Sequence, residues 1–456
     1  MNYRFNRQSL NRAVIAAKRE LGLALSLLVL LLIAGVLTTA QTNLQYQSAF
    51  LRVEAAPDQP ALAALAVDSL GKNKLNVNPL RPPGKAERSY ELRRVGNTIE
   101  YRASGESPAP PPVWTFEFSP RQIHLRSRFA EGNPPQPLTL NFDSRVNHAT
   151  LLGLMQADGG VRLPALLHLP DLGTLRIECT TGTGPALGYD AYRNRGPHDE
   201  PLGDNDFVKV TFPAASATAR QIDYTLDVVE IHPTLQKLAL DPRFDGFRRN
   251  WLNIFQLNPR LRVLANHASS DPCAFTLFEY SSMAVRTPPL APGVTALDLV
   301  RLTLDRYLSG MQGYGMAGVQ HDVPYDFLDS YPSLLIAASD YVRGSKDHAW
   351  LEHNYAALKG WAAKLLAMDH DGEGLIEYPM SGNSGSWALG VPVRPANWWD
   401  DIGFGHQDAY SNALAYHALM EMAELARQAH QPGDAQFYSS RAEKLRSVYL
   451  LSLIHI

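Results

Sequence analysis

Apolar side chains recur at every second position through residues 44–240 and at every 3.6 positions after about residue 295, so one chain must build two kinds of layer. In the first stretch Trp114, Phe116 and Phe118 alternate with Thr115 and Glu117. Leu138, Leu140 and Phe142 follow, then Val208, Val210 and Phe212, then Ile222, Tyr224, Leu226 and Val228. Such runs read as strands with one buried face. Breakers such as Ser107–Pro112 and Gly132–Pro135 come too often for βαβ units, so residues 41–240 are expected to form an antiparallel β-sandwich. Gly182, Gly184 and Gly188 precede no helical pattern and read as a turn rather than a nucleotide loop.

The second stretch carries five helical stripes. They are Leu297, Val300, Leu304 and Leu308; Tyr331, Leu335, Ala338 and Val342; Leu351, Tyr355, Leu358, Ala362 and Leu365; Leu414, Ala418, Met422 and Leu425; and Tyr438, Ala442, Leu445 and Val448. Thr295 reads as a helix cap, Pro332 as a first-turn residue, and Gln431–Asp434 as a turn between the last two helices. Residues 241–294, rich in proline, are expected to connect the two regions, and residues 295–450 to form the helical domain.

Ahead of both lies Leu21–Ala40, twenty residues without a charge, which is about the length that crosses a bilayer as a helix. Arg4, Arg7, Arg12, Lys18 and Arg19 precede it within a basic segment, residues 1–20, which predicts a cytoplasmic N-terminus and an extracytoplasmic remainder. A signal-anchor helix over residues 21–40 and a signal peptide cleaved near Ala40 both fit this pattern. Lys+Arg 42 against Asp+Glu 45 leaves a net charge of −3, which argues against a nucleic-acid partner. Cys179 and Cys273 could pair, but two cysteines cannot build a thiolate zinc site.

From about Met368 to Gly405 the chain has no helical stripe, and long connections within compact domains are usually functional. This one holds Asp369, Asp371, Glu373, Glu377, Trp387, Trp398, Trp399, Asp400 and Asp401. Carboxylates can transfer protons and indole faces can stack on pyranose rings, so the combination suits a sugar site. Trp398 and Trp399 could equally be core, with Asp400 and Asp401 capping the helix near Asp408. Asp369, Asp371 and Glu373 alternate as in part of a calcium loop, but the glycine spacing and terminal glutamate of an EF-hand are missing, and a turn accounts for them. No other cofactor is indicated. Ser384 lacks a nucleophile elbow, and His406 and His417 lack paired metal spacing.

Trp399-Asp400-Asp401 resembles the Trp-Glu-Glu signature that carries the general acid of glucoamylases. Trp399-Asp400 with Asp408–Ala413 is similar to the Gly-Trp-Asp acid and following helix start of trehalases and family 63 glycoside hydrolases. Tyr325–Tyr331 is similar to their Tyr-Tyr-Trp-Asp-Ser-Tyr/Phe, with Leu328 in place of the Trp. These families, with the mannosylglycerate-hydrolase-like group, are six-hairpin (α/α)6-barrel glycosidases, and the resemblance spans about residues 242–450. It implies Asp400 as general acid with Asp401 as runner-up, Asp329 and Tyr325 as sugar-binding residues, and Trp398 or Trp399 as a stacking platform.

The expected fold class is therefore α+β multidomain: an N-terminal transmembrane helix, a β-sandwich and a partial (α/α)6 barrel. The expected activity is inverting hydrolysis of an α-linked gluco-type oligosaccharide outside the cytoplasm. The alternative is a carbohydrate-binding or cell-envelope structural protein on the same fold. A complete barrel needs six hairpins, and Leu451–Ile456 breaks the charge pattern before it, so the reading also expects a non-native terminus at 451–456 and a chain that stops short of its general base and is itself inactive.

Overall fold

The computed structural model describes residues 44–104, 111–130, 135–181, 184–192, 206–215, 219–234, 240–265, 272, 274–313, 315–316, 326–377 and 407–454. Period-two runs become strands because alternate side chains leave a strand on opposite faces. In chain order β1 (Gln45–Gln47), β2 (Leu51–Ala55) and β3 (Leu62–Val67) form one three-stranded sheet. β4 (Tyr90–Val95), β5 (Thr98–Ala103), β6 (Val113–Ser119) and β7 (Gln122–Arg128) continue through β14 (Gln221–Val229), β11 (Gly173–Cys179), β10 (Ala165–Leu169) and β9 (Thr150–Leu152) as an eight-stranded sheet. β8 (Leu138–Asp143), β13 (Phe207–Phe212) and β12 (Gly188–Tyr192) make a further three-stranded sheet in the order β12-β13-β8.

Neighbouring strands in the eight-stranded sheet run antiparallel. Its core face meets the smaller sheets through aromatic side chains. Phe212 of β13 packs edge-on to Tyr224 of β14 with ring centroids 5.3 Å apart, and the hydroxyl of buried Tyr101 on β5 donates to the carbonyl of Ala56 at 2.6 Å. Trp114 on β6 is fully buried, and its indole N–H donates to the carbonyl of Gln136 at 2.9 Å, as a buried indole requires.

The stretch expected as a connector holds a short helix, α1 (Asp245–Asn250), a hairpin of β15 (Gln256–Asn258) and β16 (Val263–Ala265), and α2 (Leu277–Ala284). Then come α3 (Ala296–Leu308), α4 (Ser330–Ser345), α5 (His348–Leu366), α6 (Ala409–Gln428) and α7 (Pro432–Ile454). Thr295 and Asp298 form a reciprocal capping box at the start of α3. Residues Ser330–Val342 of α4 are buried on every side, which marks it as the central helix rather than a one-faced one. Tyr46–Ile456 is one compact unit.

The expected fold class needs correction. Among the described residues no helix is long and apolar enough to cross a membrane, and Leu21–Ala40 lies outside them. The helices of nineteen or more residues, α5, α6 and α7, interleave charge with apolar residues, as α6 does with Glu421, Glu424 and Arg427, so each has a core face and a polar face. What the chain shows is mixed sheets and helices, and membrane association through an N-terminal helix is unsupported.

One core residue makes the sheets acid-sensitive. His168 on β10 is fully buried, with Nδ1 3.1 Å from the hydroxyl of its cross-strand neighbour Thr174 and Nε2 without a partner among the described residues. Burial pushes its pKa down to about 3. The unfolded chain takes up this proton near pH 6.5 and the folded one does not, so stability is retained above that pH and lost as pH falls toward 3. The slope per group is at most about 1.4 kcal/mol per pH unit. Urea denaturation of His168→Leu against the native protein should show a shallower loss between pH 6 and 4. Identical slopes would rule His168 out as the cause.

Candidate functional site

The starts of α4 and α6 and the end of α5 lie together. Asp329 occupies the N-cap position of α4 with its side chain fully buried, and its carbonyl accepts from the amide of Ser333 at 3.0 Å. The turn before it is seated on Gly315, whose carbonyl accepts from the Phe327 amide and the Ser330 hydroxyl, both at 2.8 Å. Gly315 has φ +89°, and a Cβ there would fall 2.7 Å from Ser330 Oγ, so glycine is required twice over. Tyr331 donates to Asp326 at 2.9 Å and accepts from Lys364, in the last turn of α5, at 3.0 Å. Burial first, and the Asp326 charge second, push this phenol above its ordinary range.

Beyond α5 the chain runs along the same end. The Glu377 amide donates to the carbonyl of Met368 at 2.9 Å, and Ile376 shares a crevice with Leu365, Leu419 and Leu445. Asn412, in the first turn of α6, grips Ile376 on both sides. It accepts from the Ile376 amide at 2.8 Å and donates to the Ile376 carbonyl at 2.9 Å. Gln407 donates to Glu377 at 3.3 Å, and Asp408 caps α6 by accepting from the Ser411 amide at 2.6 Å. Glu377 and Gln407 are thus held beside each other, next to the Asn412–Ile376 pair of hydrogen bonds. Each buried bond of this kind contributes about 0.5–1.5 kcal/mol net, and more when its loss strands a partner. Asn412→Ala should therefore cost about 2–4 kcal/mol and raise the exchange rate of the Ile376 amide, read by hydrogen exchange, and an unchanged rate would show that the grip is dispensable.

The candidates taken from sequence divide as follows. Asp329 is at this end, buried. Asp400, Asp401, Trp398, Trp399 and Tyr325 lie outside the described residues. The calcium candidates are engaged in their own loop: Asp369 accepts from the Gly374 amide at 3.1 Å, Asp371 from the Glu373 amide at 3.0 Å, and Glu373 from Gln407. Among the described residues no group of three or more His, Cys, Asp or Glu could hold a metal ion. Cys179 is partly buried with its thiol pushed up by burial, and Cys273 lies outside the described residues.

Two features had no sequence signal. Half-buried Glu279 on α2 makes no hydrogen bond or ion pair among the described residues, and burial alone raises its pKa. Its neighbour Phe278 donates its amide to Ser333, one turn into α4, at 3.0 Å. Farther along α4, Asp340 accepts from Ser281 at 2.7 Å and pairs with Arg343, which reaches Glu421 at 3.2 Å. Burial holds Asp340 up. At Glu421 burial is outweighed by donors from His417, Ser339 and Arg343, which bring it down to about 2. This cluster ties α2, α4 and α6 together.

No family profile and no curated protein sequence matches this chain. Among solved structures it is similar to a rhamnosidase from Klebsiella oxytoca with rhamnose bound, at 16% identity and a TM-score of 0.31, over 88% of this chain and 69% of that one. It is also similar to a family 78 rhamnosidase of a Bacillus species, at 14% identity and 0.31, over 76% of this chain and 34% of that one. A bacterial glucoamylase complexed with acarbose gives 10% identity and 0.27, over 90% and 67%. These neighbours are glycoside hydrolases.

Proposed function

We propose that the chain is a glycoside hydrolase acting on an α-linked gluco-type oligosaccharide with inversion. The observation that supports this most is that Glu377 and Gln407, between which the sequence carries Trp398-Trp399-Asp400-Asp401, lie at the end of the helical layer where Asp329 is buried. In this reading Asp400 protonates the departing glycosidic oxygen, and a tryptophan wall beside it keeps the carboxyl protonated near neutral pH. Inversion also requires a second carboxylate, about 6.5–9.5 Å from the acid, to activate water on the opposite face of the ring, and none of the residues named here is assigned that part. Asp329, Asp401 and Tyr325 hold the sugar hydroxyls, and Trp398 or Trp399 carries the apolar ring face.

The test is release of reducing sugar from maltose, trehalose and kojibiose by the full-length protein. Release from at least one, with KM raised tenfold or more in Trp399→Ala, is the expected result; release from none rejects the reading. The basic segment before Leu21 and the uncharged run after it support export, with the mature chain starting near Gln41. N-terminal sequencing of protein recovered outside the cytoplasm should begin there, and recovery only from the cytoplasm would end that part of the proposal.

A further inference from the structure

The sheet β12-β13-β8 buries one face, and its other face is half-buried to exposed among the described residues. Leu138, Leu140, Phe142, Val208, Val210 and Phe212 point into the core. The alternate residues Thr139 and Asn141 on β8, Lys209 and Thr211 on β13, and Gly188 and Asp190 on β12 form the outward face. Register makes them a grid, with Thr139 opposite Thr211, Asn141 opposite Lys209, Gly188 opposite Thr211 and Asp190 opposite Lys209.

Two cavities stand on this grid and meet at Thr211. One, of about 460 Å³, covers β8 and β13 and is walled by Pro60, Pro82, Pro83 and Pro137. The other, of about 810 Å³, lies along the edge strand β12, against Gly188 and Asp190 as well as Leu187, Tyr189 and Ala191, and is walled by the Asp158–Gly160 turn and by Asn258–Arg260. Both volumes are in the range of small-molecule sites, and proline walls keep such a site preformed. Two of the polar groups within are uncommitted. Among the described residues Lys209 and Asp190 are exposed cross-strand neighbours that form no ion pair.

We propose that this face is an oligosaccharide-binding groove, separate from the helical end. Its floor alternates ammonium, carboxylate, amide and hydroxyl groups, a set of donors and acceptors that matches vicinal hydroxyls, which both donate and accept. The alternatives fit less well. Lys85, Lys209 and Arg260 are set against Glu87, Asp158 and Asp190, and Arg81 beside them is paired with Asp143 at 3.8 Å, so the groove has no unpaired basic excess for a phosphate backbone. β13 is paired on both sides and β12 is an edge strand, so a peptide adding along β12 would leave the floor of Thr139, Asn141 and Lys209 unused. A neutral, hydroxyl-rich chain long enough to cross three strands is what remains. The groove would hold a polymer while its end is processed elsewhere, and it binds whether or not the helical end hydrolyses.

Calorimetric titration with maltohexaose, cellohexaose and mannohexaose tests this, using full-length protein carrying Asp400→Asn so that a hexaose is not consumed. At least one hexaose should bind, and its Kd should rise tenfold or more when Lys209→Ala and Asp190→Ala are added. Both residues are exposed, so the unfolding midpoint should not move. Thr211→Val, which keeps the shape and removes one hydroxyl, should raise the Kd at least threefold and carries the test if the double variant folds poorly. With Asp400 restored, turnover of a disaccharide should be unaffected by either groove change. Binding of none of the three hexaoses, or unchanged affinity in both variants, would overturn the groove.

Discussion

Asp400→Asn is expected to lower kcat on maltose or a comparable disaccharide by about 10²–10⁴-fold while leaving KM within a fewfold of native, because an amide cannot deliver the proton that the leaving oxygen needs in the transition state. The defect should shrink with the basicity of the leaving group. A glycosyl fluoride, whose leaving group needs little protonation, should be turned over by the variant at a rate much nearer native. Asp401→Asn provides the control. If that neighbour shows the leaving-group dependence and Asp400→Asn does not, the proton belongs to Asp401. Full activity in both variants would remove the segment from the chemistry.

The largest expected effect on stability is at Asp68, a residue remote from that segment. It is wholly buried at the end of β3 and accepts from the amides of Leu70, Lys72 and Lys74 at 3.1, 2.7 and 3.0 Å and from Arg249 of α1 at 2.9 Å. Burial pushes its pKa up, but the Lys74 amide, Arg249 and the Leu70 amide outweigh it and hold the carboxyl below its ordinary 3.8. Asp68→Ala strands a guanidinium that is only 8% exposed and leaves three amides without an acceptor. Removing one partner of a buried pair costs about 3–5 kcal/mol, against a total stability of about 5–15. The urea midpoint should fall accordingly, and Asp68→Asn, which keeps one acceptor oxygen, should lie between. The Asp68 contribution is present above pH 3.8 and disappears as pH falls through its lowered folded-state value, so the Asp68→Ala penalty should narrow only in strong acid. A penalty under about 1 kcal/mol at neutral pH would mean that water or rearrangement satisfies Arg249.

Much of the local structure was legible because it depends on side-chain period alone. Trp114–Phe118, Leu138–Phe142, Val208–Phe212 and Ile222–Val228 all fall in strands, and each of the five stripes after residue 295 falls in a helix. The misses have identifiable causes. The β15–β16 hairpin and α2 were hidden among prolines because three-residue strands and a two-turn helix are too short to show a period. Gln431–Asp434 reads as a turn, yet Pro432 opens α7, since proline at a first helical position gives up no hydrogen bond. On α4 a single stripe was visible where the helix is buried all round, because Ser333 and Ser339 are small enough to let neighbouring helices approach and do not register as apolar.

The transmembrane expectation came from hydropathy of Leu21–Ala40 alone, and no described helix answers to it. At the helical end, residue types singled out Asp329 and the Asp408–Ala413 helix start. They could not reveal that Asn412 grips Ile376 across 36 positions, because a contact between a side chain and a distant backbone leaves no local pattern. The polar grid on β8, β13 and β12 was invisible for a related reason: in sequence it is only the solvent half of an alternation, and becomes a groove once walls from residues 60–83 and 158–160 stand over it.

The stereochemistry of the first product tests the proposed inverting hydrolysis most directly. Proton NMR of the anomeric region, recorded within the first minutes after full-length protein meets an α-glucoside and before mutarotation, should show the β-anomer of the released sugar appearing first, as required of an acid at Asp400 and a water delivered from the opposite face. The α-anomer appearing first, or no released sugar from any α-glucoside, would contradict it.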